Sequence, residues 1–270
     1  MNNGFYRIGL MIGNSRLHWG LFQAQAVIFS WDTEYLPESV IQQITSGRVS
    51  IPNFPAHLSD IFATSQFSLP IILASVVPQQ TALWEKFPNV NLITLNQIPI
   101  QDVYPTLGID RALAIYGANK VYNLPVLVID TGTALTFTGV DNHMNFQGGA
   151  ILPGLGLQLS TLTNHTGQLP QLEINSLPSL PLRYARDTHS AMYSGVIYTV
   201  LAGIKEFITS WWQDFPNSQV IITGGDRTRI YHYLQSLYPE IALHVKVEKD
   251  LIFWGMAFLE DNYISSTPKE

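Results

Sequence analysis

One strand–turn–strand pattern occurs twice in this sequence, and that duplication limits the fold more than any other feature. LMIGNSRLHWGL (Leu10 to Leu21) and IDTGTALTFTGV (Ile129 to Val140) lie 119 positions apart and align without gaps. Gly13 then falls on Gly132 and Gly20 on Gly139, and small hydroxyl or amide residues follow each first glycine. An apolar strand running into such a turn presents backbone N–H groups in a tight concavity that suits a phosphate. One copy per half predicts two related domains holding a nucleotide between them. The copies differ at one place: Asp130 of the second is Met11 in the first.

Short apolar runs bounded by turn residues predict strands. They fall at Tyr6–Ile12, Leu17–Gln23, Ile71–Val76, Asn91–Leu95, Val126–Asp130, Ala134–Val140, His143–Gln147, Val220–Thr223 and His244–Val247. Helices are expected at Leu36–Gly47, Thr81–Phe87, Asp110–Tyr122, Leu155–Thr163, Ala191–Phe215, Thr228–Leu237 and Leu251–Glu260. Residues 51–70 read as a loop or frayed helix, and 164–182 as an irregular excursion. Each half opens with antiparallel strands and then mixes helix and strand, which gives a mixed sheet flanked by helices. A single doubly wound domain fits less well, because neither hairpin leads directly into a crossover helix. The turn at 123–125 divides the chain into domains 1–123 and 124–270.

The balance of 46% hydrophobic and 13% charged residues supports buried strands rather than disorder. A net charge of −6 without any Lys/Arg cluster argues against a nucleic-acid partner. Without cysteine there is no disulfide, thiolate metal site or cysteine nucleophile. The N-terminus lacks the features of a signal peptide, and no apolar run approaches the roughly 18 residues of a spanning helix, so a cytoplasmic protein with no membrane partner is expected.

Five motifs in order then carry a resemblance: IGNSRLHWG; ASVVP (Ala74–Pro78); YPTLGIDR (Tyr104–Arg111); DTGTALT with GGAILPG (Gly148–Gly154); and TGGD (Thr223–Asp226). Together they resemble the type III pantothenate kinases, the first enzymes of coenzyme A synthesis in many bacteria. The resemblance implies the actin-like, sugar-kinase-like superfamily. Its fold is two related ribonuclease-H-like/actin-like domains, each a mixed β-sheet flanked by helices, with the active-site cleft between them. It also implies ATP-dependent phosphorylation of pantothenate to 4′-phosphopantothenate, Mg²⁺, a monovalent cation (K⁺ or NH₄⁺), and a homodimer.

Residue roles follow from the same resemblance, each beside a plainer reading. Asp110 is the general base in the family pattern; alone, it would be a carboxylate favoured by about 0.3–1 kcal/mol at a helix N-terminus. Tyr104, Gly108, Ile109, Asp110, Arg111 and Thr188 match the pantothenate pocket, and Thr188 by itself would be a helix N-cap. Gly13, Asn14, Ser15, Gly132 and Thr133 match nucleotide contacts. Asp130 matches a cation ligand, or else a turn-initiating residue. His18 lies just past the first glycine turn, where some relatives carry a basic side chain, and a phosphate contact is the less favoured reading of it. Met11 and Thr138 stand where most relatives carry aspartate, and a thioether cannot ligate Mg²⁺. The alternative is therefore a catalytically weakened binding or regulatory protein on the same fold.

Overall fold

The computed structural model describes residues 6–48, 51–56, 69–172 and 179–264, the last five of these by backbone alone. The expected loop at 51–70 and excursion at 164–182 lie partly outside these residues. Two compact units emerge: Tyr122–Lys249 form one, and the chain before Tyr122 together with that from Asp250 onward forms the other.

The first unit is built on a five-stranded sheet, comprising β1 (Tyr6–Ile12), β2 (Leu17–Gln23), β3 (Ala26–Thr33), β4 (Ile71–Ser75) and β5 (Val90–Leu92). Their order is β3-β2-β1-β4-β5, with β1, β2 and β3 antiparallel in succession and β1, β4 and β5 parallel. Alternation along the strands decides the two faces. Ile8, Leu10 and Ile12 of β1 join Leu17, Trp19 and Leu21 of β2 on one face. They pack there with Ile41 and Ile44 of α1 (Glu38–Thr45) and Trp84 of α2 (Pro78–Trp84). Trp19 sits edge-on to Trp84 at 5.5 Å, and its indole N–H donates to Thr33 Oγ1 at 2.9 Å. Burying each such large apolar side chain is worth roughly 1.5–3 kcal/mol.

On the opposite face Gly9 pairs with Gly20, leaving room for Phe22 and for Phe253 and Met256 of the last helix, α8 (Leu251–Ile264). That helix lies against α3 (Ile109–Val121). Gly117 and Gly255 let the two backbones touch: a Cβ on Gly117 would stand 2.8 Å from Gly255 N. The expected domain limits are corrected here. The C-terminal helix completes the second half in sequence order but belongs to the first unit, because its small residues fit α3.

The second unit repeats the plan with β6 (Val126–Thr131), β7 (Ala134–Val140), β8 (Phe146–Pro153), β9 (Gln219–Thr223) and β10 (Val245–Val247). The order β8-β7-β6-β9-β10 and the strand directions match those of the first sheet. Two mixed sheets flanked by helices, with one topology used twice, are the architecture expected from the duplicated hairpins. Leu127, Ile129, Leu135, Phe137, Val220 and Ile222 bury one face. Over them lie α4 (Leu155–Asn164), α5 (Thr188–Asp214) and α6 (Arg227–Leu237); a short α7 (Pro239–Ala242) follows. Among the described residues α5 alone is long and apolar enough to cross a membrane, and half of its most apolar stretch is buried inside the unit. That burial marks it as a core helix.

Three expectations need correction. Strand β3 is absent from the expected strands, because its half-exposed edge position weakens the apolar alternation. The strand expected at His143–Gln147 runs instead from Phe146 to Pro153. Its Gly148–Gly149 pair and terminal proline read as turn residues, yet an edge strand accommodates both. The gapless match of the hairpins also breaks at the turns. Ile12 faces Leu17 across residues 13–16, whereas Thr131 faces Leu135 across residues 132–134. Gly20, opposite Gly9, therefore corresponds to Thr138, opposite Val128, and not to Gly139.

Candidate active site

Within the first unit the candidate residues form two groups. The first is the turn after β1. Gly13 N–H donates to Arg16 O at 3.1 Å and closes the loop, and Tyr35 Oη donates to Gly13 O at 2.6 Å. Asn14 and Ser15 are exposed at its tip, while Met11 behind it is buried. The thioether thus packs into the sheet where the sequence lacks a carboxylate.

The second group starts at Tyr104. Leu107 N–H donates to Tyr104 O at 3.0 Å, a tight turn favoured by Pro105 at its second position. Gly108 follows; a Cβ there would collide with Asp110 Oδ1, so only glycine allows the carboxylate its place. Helix α3 opens at Ile109, which is buried, and Asp110 Oδ1 accepts the Arg111 N–H at 2.8 Å. Arg111 is buried too, and its Nη1 donates to Tyr104 Oη at 2.8 Å. Tyr104 is 39% exposed, so one side of this cluster faces outward. Burial pushes the Asp110 carboxyl above the ordinary aspartate range, against the opposing pull of the Arg111 N–H and guanidinium charge. A carboxylate made more basic in this way is suited to accepting a proton.

The second unit gathers its candidates around Asp130, half-buried near the end of β6 and paired with Thr136 on β7 and Thr223 on β9. A Cβ on Gly132 would lie 3.2 Å from Asp130 Oδ1. Gly154 N–H donates to Thr133 O at 2.8 Å, which ties the end of β8 to the glycine turn and leaves the Thr133 side chain exposed. From the other side comes the Thr223–Asp226 segment. Thr131 Oγ1 donates to Thr223 O at 2.7 Å, and Asp226 N–H donates to Thr131 O at 2.9 Å. Gly224 has φ +91° and its Cα faces the Asp130 carboxylate, so a backbone conformation open to glycine brings the last motif onto the turn. Arg227 Nη1 donates to Gly224 O at 2.8 Å, and Arg229 pairs with Asp226. Burial nonetheless raises the Asp226 carboxyl above its usual range. The glycine turn and the Thr223–Asp226 segment thus bring backbone groups close around the Asp130 carboxylate, a setting suited to phosphate and to a hard cation.

Sequence reasoning placed Asp130, Gly132 and Thr133 in one turn, but it did not foresee Gly154 and Gly224 closing around them. The signal was the glycine content of GGAILPG and TGGD. Thr188 is exposed at the first position of α5. It is not the N-cap: Asp187 holds that place, its carboxylate accepting the Ser190 N–H at 2.9 Å. Among the described residues no three His, Cys, Asp or Glu side chains cluster as a ready-made metal cage.

Comparison with known proteins adds to this geometry. A family model described as type III pantothenate kinase matches residues 9–210. A protein of Nostoc sp. (strain PCC 7120) named type III pantothenate kinase is 53% identical over 255 residues, covering 92% of each chain. One of the same name from Synechocystis sp. (strain PCC 6803) is 42% identical over 250 residues, covering 93% of this chain and 88% of the other. Among solved structures, the activator of the 2-hydroxyisocaproyl-CoA dehydratase from Clostridium difficile, with bound ADPNP, is 10% identical at a TM-score of 0.52. It covers 98% of this chain and 100% of its own, and at that identity it speaks to the fold alone.

Proposed function

The chain belongs to the type III pantothenate kinase family, and from that premise we propose that Asp110 is the general base of its reaction. The protein is a pantothenate kinase, with ATP as phosphoryl donor and pantothenate as acceptor. The catalytically weakened alternative is not favoured, given 53% identity to a curated kinase along nearly the whole chain.

In the proposed mechanism the Asp110 carboxylate accepts the proton of the pantothenate 4′-hydroxyl. The hydroxyl oxygen forms its bond to the γ-phosphorus, and the bond to the β,γ-bridging oxygen breaks with its electron pair leaving on ADP. Tyr104, Gly108, Ile109, Arg111 and Thr188 bind the acceptor. Buried Arg111, donating to Tyr104 and adjoining Asp110, suits its carboxylate. Gly13, Asn14, Ser15, Gly132 and Thr133 hold the nucleotide phosphates through backbone and hydroxyl groups. The observation that carries this reading is the half-buried Asp110 carboxyl, whose basicity rises although Arg111 stands beside it.

Cations fit the residues present. Asp130 offers one hard carboxylate closely surrounded by backbone, which suits an ion completed by water and phosphate oxygens; Met11 offers nothing. Bound there, Mg²⁺ and a monovalent cation such as K⁺ or NH₄⁺ neutralise phosphate charge. A cytoplasmic homodimer without nucleic-acid or membrane partners completes the proposal, and a monomer in sedimentation would contradict the dimer. The test is a coupled ADP-release assay with pantothenate, with and without K⁺. Turnover that rises with K⁺ and collapses in Asp110→Asn supports the reading; turnover indifferent to Asp110→Asn overturns it.

A further inference from the structure

We infer that Thr131 and Arg227 are positioning residues: they hold the Thr223–Asp226 segment against the Asp130 carboxylate and so set how tightly that carboxylate binds a cation. The inference rests on the proposed cation site at Asp130 and adds two residues given no role above. Regular pairing of β6 with β9 ends where Asp130 stands opposite Thr223. One residue further on, Thr131 takes over the connection with its side chain and carbonyl. Thr131 Oγ1 donates to Thr223 O at 2.7 Å, and Thr131 O accepts the Asp226 N–H at 2.9 Å. A single residue thus grips both ends of the segment, with Gly224 and Gly225 arching between them. Thr131 and Thr223 are both buried, so water does not compete for the hydroxyl bond.

The arch bears on Asp130 through Gly224. Its φ is +91°, and a Cβ there would collide with Asp130 Oδ1. Gly132 borders the same oxygen, since a Cβ on it would lie 3.2 Å away. Glycine backbone therefore confines the carboxylate from two directions. Arg227 fixes the arch itself: its Nη1 donates to Gly224 O at 2.8 Å, a charge-assisted bond that orients the peptide following the left-handed residue. Asp226 stands at the N-cap of α6, but its carboxylate makes no cap and pairs with Arg229 instead. Its part in holding the arch is the backbone N–H alone. A ligand kept in one orientation binds an ion without the cost of ordering it first. Loosening the arch frees the Asp130 carboxylate to turn, and cation binding weakens.

Thermal unfolding with ADP present, in rising KCl against choline chloride at equal ionic strength, reads cation binding without turnover. The net worth of one hydrogen bond corresponds to a change of about 2- to 10-fold in affinity. Thr131→Val keeps the shape and drops the hydroxyl, and Arg227→Met keeps the length and drops the donor. Each should raise the half-saturating KCl concentration by that factor. Thr131→Ser and Arg227→Lys retain a donor and should keep the wild-type response. Thr131→Ser should still melt earlier, because it loses a buried methyl, and that split separates positioning from stability. A wild-type potassium response in either Thr131→Val or Arg227→Met overturns the inference. So does tighter potassium binding in Arg227→Met, the result if the guanidinium acted through its charge alone. Asp130→Asn distinguishes the two readings. If it abolishes the response while Thr131→Val and Arg227→Met leave it intact, this inference fails and the cation site stands. If Asp130→Asn changes nothing, the cation site fails and this inference with it.

Discussion

Gly224→Ala and Gly225→Ala are the same chemical change at adjacent positions of one motif, and the structure gives them opposite outcomes. At Gly224 the backbone has φ +91°, where an L side chain costs about 1–2 kcal/mol. The new Cβ would also stand 2.6 Å from Thr131 N and collide with Asp130 Oδ1. Ordinary contact begins near 3.4 Å. The motif or the Asp130 turn must therefore shift by nearly an ångström, and overpacking of that kind costs roughly 1–3 kcal/mol. The total is about 2–5 kcal/mol. At Gly225 a Cβ meets nothing within 4 Å. Alanine there should change stability by less than about 1 kcal/mol, and in the stabilising direction if it narrows the unfolded ensemble. Urea denaturation followed by circular dichroism measures both, and the ATP KM reports the displaced turn. Equal stability of the two variants, or Gly224→Ala matching the wild type, would refute the packing described around Asp130.

Three further outcomes follow from the same structure. Gly117→Ala should destabilise by about 1–3 kcal/mol in urea melts, because its Cβ would enter the α8 backbone; Gly195→Ala, with open space around it, should instead gain up to about 1 kcal/mol of helix propensity. Asp187→Ala removes the cap of α5 and should cost about 0.5–2 kcal/mol by the same measurement. Asp110 has a folded-state pKa above its unfolded value, so its neutral form is the stabilising one and stability falls as pH rises from the unfolded pKa through the folded one. Asp110→Asn mimics the neutral form, and its melting temperature relative to wild type should rise across that window.

Much of the fold was legible because strand cores carry their own signal. The bounds of β1, β2 and β7 coincide with those read from apolar runs, since each is buried along most of its length. Edge strands were harder: β3 and β8 alternate with solvent, and glycines in β8 mimic a turn. Without β3 the cross-strand contact of His18 with Asp32 could not be foreseen. The cap of α5 was assigned one residue late, since Asp187 and Thr188 are both good caps and only φ and ψ choose between them. The attachment of α8 to the first unit depends on Gly117 meeting Gly255, a contact between residues 138 positions apart that no local pattern encodes. Motif residues such as Asp110, Arg111 and Asp130 were found because the short motifs that hold them resemble those of the family. What surrounds them, notably Gly154 and Gly224 around Asp130, required the sheet topology.

The central claim is that Asp110 takes the proton in the phosphorylation of pantothenate. Mass-spectrometric measurement of 4′-phosphopantothenate formed from ATP and pantothenate, by wild type and by Asp110→Asn, tests it directly. The account predicts product from the wild type and a loss of about 10²–10⁴ in kcat for the variant, with the KM for ATP little changed. Undiminished product formation by Asp110→Asn would contradict it.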